Sequence, residues 1–253
     1  MLARFFKKHT SNVCFCTLAI HEQYRRRARL LCSDTPRMPW IVLTDEPEDF
    51  AGLHVKAIAH QPVGPMAIDF LTRLPPTGNG RGGAAYHDKR FVLSAALEDF
   101  DTAIFVDADS RIRYVPRLPV FPPGMVAASK LQTTIDAHLQ NWGTWRRPVF
   151  EDLARSLTGS SDILRSARWC GEWLFGVTKD GRESKFFETW SYAAEFLQAR
   201  DVFSGEGGVI GLAAAIAGWE INYRALAKLE AVVKHEAQGP KRPTDQNGSE
   251  ATD

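Results

Sequence analysis

The stretch Thr102-Ala-Ile-Phe-Val-Asp-Ala-Asp109 decides the fold. Its run of apolar residues has no polar face, which is how a central strand of a parallel sheet reads when both faces are covered. The strand ends at Asp107, so that acid leaves the carboxyl end, the edge where open α/β sheets bind ligands. Asp107 and Asp109, one residue apart as strand gives way to turn, can set oxygens around one hard cation. Mg²⁺ or Mn²⁺ held this way keeps positions open for phosphate oxygens. The plainer alternative is that Asp109 caps the following turn. A second Asp-x-Asp, Asp99-Phe-Asp101, closes a helical stretch and reads as a solvated turn.

Working outward, the flanking sequence alternates strands and helices. Residues 13–20 form an apolar β-like run and residues 21–31 a charged helix; Pro36 and Pro39 then precede a second apolar strand at 40–44. Strand, helix, strand with short connections begins a doubly wound α/β sheet of Rossmann-like type, mostly parallel and flanked by helices. The run Pro75-Pro-Thr-Gly-Asn-Gly-Arg-Gly-Gly83 is a loop. Further helices are expected at 87–100, 148–157, 183–198 and 209–216, and further strands at 125–128, 173–177 and 219–223. One domain is expected over residues 1–238, its halves 1–110 and 111–238, followed by a polar tail at 239–253.

The pair Tyr86-His-Asp-Lys-Arg90 and Phe105-Val-Asp-Ala-Asp-Ser110, one helix and one strand apart, resembles the central block of GT-A glycosyltransferases. It is similar to the retaining families that include the blood-group A/B and glycogenin-like transferases. That resemblance implies a nucleotide-sugar donor, UDP-linked, and an acceptor hydroxyl on a glycan or other molecule. It also implies that Asp107 and Asp109 bind the metal, that Asp88 and Arg90 contact the donor, and that Lys89 faces phosphate or sugar. A helix N-terminus with Asp88 in its first turn accounts for the same residues structurally.

Downstream, His235-Glu-Ala-Gln-Gly-Pro-Lys241-Arg-Pro is similar to the glycogenin-like segment in which a histidine is the third metal ligand and a lysine holds diphosphate. The spacing here differs by one residue before the glycine, and the final aromatic is missing. Thr17, Thr44 and Asp45 end the first two strands, at the edge where the resembling families bind base and ribose. Trp169-Cys-Gly-Glu172-Trp-Leu-Phe-Gly resembles the segment lining the sugars, with Glu172 able to take sugar hydroxyls, whereas Trp173 and Phe175 read as core. Glu206 resembles the acid that opens a late helix near the anomeric carbon; a simple helix N-terminal charge is the alternative.

Composition narrows the field. Lysine plus arginine (31) nearly balance aspartate plus glutamate (30), so the basic excess of a nucleic-acid binder is missing. No window approaches the roughly 20 apolar residues of a membrane-spanning helix. The four cysteines lack paired spacing, and Cys14 and Cys16 alternate within a strand as small apolar residues; a reduced cytoplasm is expected. A sugar nucleotidyltransferase would carry a glycine-rich basic segment after the first strand, where this chain has Ala19-Ile-His-Glu-Gln. Gly78-Asn-Gly-Arg-Gly-Gly lacks the Gly-Lys-Ser/Thr ending of a phosphate-binding loop. A carbohydrate-binding scaffold that keeps the fold without activity remains the alternative from outside the enzymes.

Overall fold

The computed structural model describes residues 12–62, 84–129, 132–202 and 205–235. Strand β1 (Val13–Ala19) leads into helix α1 (Glu22–Asp34), then β2 (Trp40–Thr44) and β3 (Val55–Ala59). After a 3₁₀ turn at Ala84–Asp88 come α2 (Lys89–Asp99), β4 (Thr102–Val106), β5 (Ser110–Ile112) and β6 (Gly124–Ala127). Helices α3 (Ile135–Trp142), α4 (Arg147–Thr158) and α5 (Ile163–Ser166) precede β7 (Leu174–Thr178). The chain continues through α6 (Glu183–Gln198), α7 (Glu206–Ile216) and α8 (Ala227–Glu230) to β8 (Val233–His235).

Six strands form one sheet in the order β3-β2-β1-β4-β7-β6, and β5 pairs with β8 in a small second sheet. β3, β2, β1 and β4 are mutually parallel; β7 runs antiparallel to both β4 and β6. This is the α/β architecture expected, a mostly parallel central sheet flanked by helices. Its two cores follow from strand alternation. Cys14, Cys16, Ile41, Leu43 and Phe105 face one layer, with α2, α6 and α7 behind them. Val13, Phe15, Val42, Ile104 and Val106 face the other, against Ala28 and Leu31 of α1. Burying each large apolar side chain of this kind contributes about 1.5–3 kcal/mol, so double-sided coverage fixes β4 at the centre.

Several elements depart from the expectations. The strand at 219–223 does not form: Asn222 makes one isolated bridge to Val126, while the Trp219 indole N–H turns aside to donate to Asp180 at 2.9 Å. Strand β3 escapes apolar-run reading because it is a half-exposed edge strand, Val-Lys-Ala-Ile-Ala. Helix α3 and the short strands β5 and β8 also lay outside the predicted elements. The loop at 75–83 and the tail at 239–253 fall outside the described residues. Among those described, no helix is long and apolar enough to cross a membrane.

Candidate active site

The site grows from the carboxyl end of β4. The backbone N–H of Asp107 donates to the Trp173 carbonyl at 2.9 Å and the Ser110 N–H donates to the Asp107 carbonyl, closing a tight turn. That turn sends Asp107 and Asp109 to the same side. Strand β5 then pairs antiparallel with β8, with Ser110 opposite His235. This two-strand contact carries His235 across 126 positions of sequence to the aspartates. Its Nε2 lies 3.1 Å from Asp109 Oδ1 and 3.7 Å from Asp107 Oδ2. One ligand atom from each of the three residues falls within 4.8 Å of the others. The Asp109 carboxylate holds the imidazole pKa above its ordinary value, against the opposing effect of burial. The Trp173 ring flanks His235, centroids 5.7 Å apart.

Behind the aspartates lies a buried cation among carboxylates. Lys89, the first residue of α2, points its Nζ at Glu206 Oε1 (2.6 Å), Asp107 Oδ1 (2.9 Å) and the Glu172 carbonyl (3.0 Å). Glu206 opens α7, where Gly205 at φ 98° supplies the left-handed entry. Glu172 is tied to the same helix start, its Oε2 accepting the Gly207 N–H at 2.8 Å. Burial dominates the titration of both glutamates. It pushes Glu206 up to about 8, helped by Glu172 and Asp107 and opposed by Lys89. Glu172 is raised for the same reason. The Lys89 pKa is raised as well, for the opposite reason: burial opposes its charge, but Asp107, Glu206 and Glu172 together outweigh it. One cation shared by three carboxylates favours retention of a proton on the most enclosed of them, Glu206.

The remaining predicted residues are set apart from this cluster. Asp88 is almost fully enclosed; one oxygen meets His60 Nε2 at 2.8 Å, the other lies 3.5 Å from Arg90 Nη1. Arg90 also donates to the His87 carbonyl (2.7 Å) and Ser191 Oγ (3.1 Å) and stacks over Phe91, so it joins α2 to α6. Asp45 accepts the His21 N–H and pairs with Arg25, which holds the start of α1 against the end of β2. Thr44 ends β2, whereas Thr17 lies within β1, opposite Val42, two residues short of the strand end where the sequence reading put it. Both are without solvent exposure; Thr17 Oγ1 has no hydrogen-bond partner, and Thr44 Oγ1 accepts from Glu46 N. Lys241 lies outside the described residues. Sequence reading missed His60, the partner of Asp88, and Arg27, whose Nη1 approaches Asp109 Oδ2 to 3.9 Å. A single histidine after an edge strand and one arginine in an arginine run give no signal of their own.

The fold and site define an α/β protein with acids, a lysine and a histidine converging at the carboxyl edge of its sheet. No protein-family model matches the chain. No curated protein matches it either. Among solved structures it is similar to mouse xyloside xylosyltransferase 1 in its apo form, at 12% identity, with a TM-score of 0.43, over 88% of this chain and 97% of that one. It is also similar to the galactosyltransferase LgtC in complex with donor and acceptor sugar analogues, at 11% identity, with a TM-score of 0.46, over 79% of this chain and 70% of that one.

Proposed function

We propose that this chain is a GT-A-type glycosyltransferase that moves a sugar from a nucleoside-diphosphate sugar, UDP-linked, to an acceptor hydroxyl with retention. The observation that carries the reading is the convergence of Asp107, Asp109 and His235 within 4.8 Å, backed by Lys89 and two enclosed glutamates. Two carboxylates with one imidazole suit a hard or borderline divalent cation, Mn²⁺ or Mg²⁺, and the nitrogen favours Mn²⁺. Such an ion, when bound, supplies electrostatic stabilisation to a departing diphosphate.

The chain's own residues would divide the other tasks. Lys89 brings positive charge beside Asp107 and orients the Glu206 carboxyl through a short hydrogen bond. Glu206, at the first turn of α7, faces the reacting sugar and can hold or release a proton near neutral pH. Glu172, fixed by the Gly207 N–H, takes sugar hydroxyls. Thr17, Thr44 and Asp45 mark the nucleoside end, with Asp45 offering its carboxylate to ribose hydroxyls. Asp88 acts through His60 and Arg90, holding the start of α2 and with it Lys89. Lys241 is proposed to meet the diphosphate.

The test is a thermal-shift screen of nucleoside diphosphates and nucleotide-sugars, with and without Mn²⁺. A ligand specific to the folded state stabilises by about 2.7 kcal/mol at a hundredfold excess over its dissociation constant. A metal-dependent shift that Asp107→Asn abolishes, followed by sugar release from that donor, supports the reading. A folded chain that responds to no nucleotide overturns it in favour of a carbohydrate-binding scaffold.

A further inference from the structure

Beside the glutamates lies a group of aromatic and basic residues that adjoins the lysine cluster through Glu172, whose carboxylate feels the Arg146 charge. Helix α3 begins where the Thr134 hydroxyl accepts the Ala137 N–H at 3.2 Å, and it ends at Gly143. The following 3₁₀ turn, Thr144–Arg146, sets a guanidinium between two indoles. Arg146 Cζ lies 5.7 Å from the Trp145 ring centroid and 6.0 Å from that of Trp169. His138, from α3, stacks on Trp169 with centroids 3.4 Å apart and planes 17° from parallel.

Two polar atoms of this group are sealed and unused. His138 Nδ1 and Trp169 Nε1 have no hydrogen-bond partner, although the residues are only 9% and 3% exposed. An enclosed polar atom without a partner costs about 1–3 kcal/mol, so two together mark a place where a polar group is wanted. Their environment keeps His138 neutral, since burial and then Arg146 push its pKa down to about 4. A neutral imidazole offers one donor and one acceptor, and the indole offers a donor. Alternating donors and acceptors are what vicinal sugar hydroxyls satisfy.

The outer face of the same segment is apolar and open. Trp142 is 75% exposed and Trp145 39% exposed. Large indoles left in water beside polar groups suit a ligand with one C–H face and a rim of hydroxyls, which is a pyranose. The location is equally informative. A Cβ placed on Gly207 would lie 2.5 Å from Trp169 Nε1 and 2.6 Å from Glu172 Oε2, so indole and carboxylate meet at the start of α7. A Cβ on Gly205 would lie 2.8 Å from Arg146 Nη1, one residue from Glu206.

We propose that Trp142, Trp145, Arg146, His138 and Trp169 form a saccharide-acceptor subsite. A pyranose face stacks on Trp145 and its hydroxyls engage Arg146, while His138 and Trp169, stacked on one another beside the guanidinium, form the enclosed wall of the subsite. The proposal rests on the glycosyltransferase reading for the acceptor role, but saccharide binding itself can be tested apart from it.

The experiment uses the full chain and a panel of methyl pyranosides (β-galactoside, β-glucoside, β-xyloside and α-mannoside), with binding followed by saturation-transfer NMR. The nucleotide thermal shift is recorded in parallel. Binding of at least one glycoside is expected, weakened about tenfold or more by Trp145→Ala and by Trp142→Ala and largely kept by Trp145→Phe, with the nucleotide shift unchanged throughout. The mostly exposed Trp142 guards against a variant that merely unfolds. Equal binding by both alanine variants overturns the subsite, as does a chain that responds to nucleotide but to none of the glycosides. Tryptophan-dependent glycoside binding without any nucleotide response leaves the subsite standing and removes the glycosyltransferase reading. Silence toward both kinds of ligand overturns both.

Discussion

Lys89 and Glu206, 117 positions apart in sequence, meet at 2.6 Å, and the lysine also lies 2.9 Å from Asp107. That ammonium ties the first turn of α2 to the first turn of α7 through charge enclosed by protein. Breaking an enclosed pair by removing one partner costs about 3–5 kcal/mol, because the other charge is left without compensation. Lys89→Met is therefore expected to destabilise by about that amount in urea unfolding. Glu206→Gln should cost much less, since an amide resembles the protonated acid, and the double variant should recover part of the lysine loss. Additive losses would show that the pair is not coupled.

The metal set predicts a second result. His235→Ala and Asp109→Asn should each weaken the Mn²⁺-dependent thermal shift by about tenfold or more in apparent metal affinity, with the metal-free melting temperature little changed. Chelation by EDTA should reduce the wild-type nucleotide shift to that of the variants. Metal affinities equal to wild type would remove these residues from the ligand set.

His87 gives an acid-stability signature. The Trp190 indole N–H donates to its Nδ1 at 3.1 Å, and burial, with Arg90 and Lys89 nearby, pushes its pKa down to about 3. The unfolded chain, with an ordinary histidine near 6.5, binds a proton that the folded chain refuses between those values. The stability held above pH 6.5 is thus lost as pH falls through this window, at about 1.4 kcal/mol per pH unit from this group alone. Urea unfolding across the window should show that slope reduced in His87→Gln; an unchanged slope would reject the assignment.

Glycine at 211 is a matter of space. A Cβ there would lie 1.8 Å from the Arg168 carbonyl oxygen, and backbone cannot step aside. Gly211→Ala should therefore cost about 3 kcal/mol or more. Gly159→Ala, with open space but φ at +82°, should cost only about 1–2 kcal/mol. Melting temperatures of the two variants check the order.

Much of this was legible in the sequence, and what was not has a physical pattern. β4 and β2 announce themselves because both their faces are covered, and the two aspartates follow from where β4 ends. β3 did not, because an edge strand need not be apolar. The strand expected at 219–223 failed because the Trp219 backbone N–H closes the end of α7 on the Ala214 carbonyl, leaving Asn222 alone to bond β6, through Met125 and Ala127. Asp88 and Arg90, read as donor contacts, also belong to a buried network with His60, His87 and Ser191 that only tertiary structure reveals. Lys89 faces the carboxylates, yet Glu172 and Glu206 as its neighbours could not be inferred from spacing of 83 and 117 residues.

The pairing of Ser110 with His235 has a temporal side. All six strands of the main sheet are complete by Thr178, whereas the histidine belongs to a three-residue strand that emerges from the ribosome more than fifty residues later. During synthesis the two aspartates can settle at the end of β4 while the imidazole is still unmade. On the proposed reading, the full set of cation ligands would then appear only once β8 is made, and a nascent chain caught short of it would carry the aspartates without their imidazole.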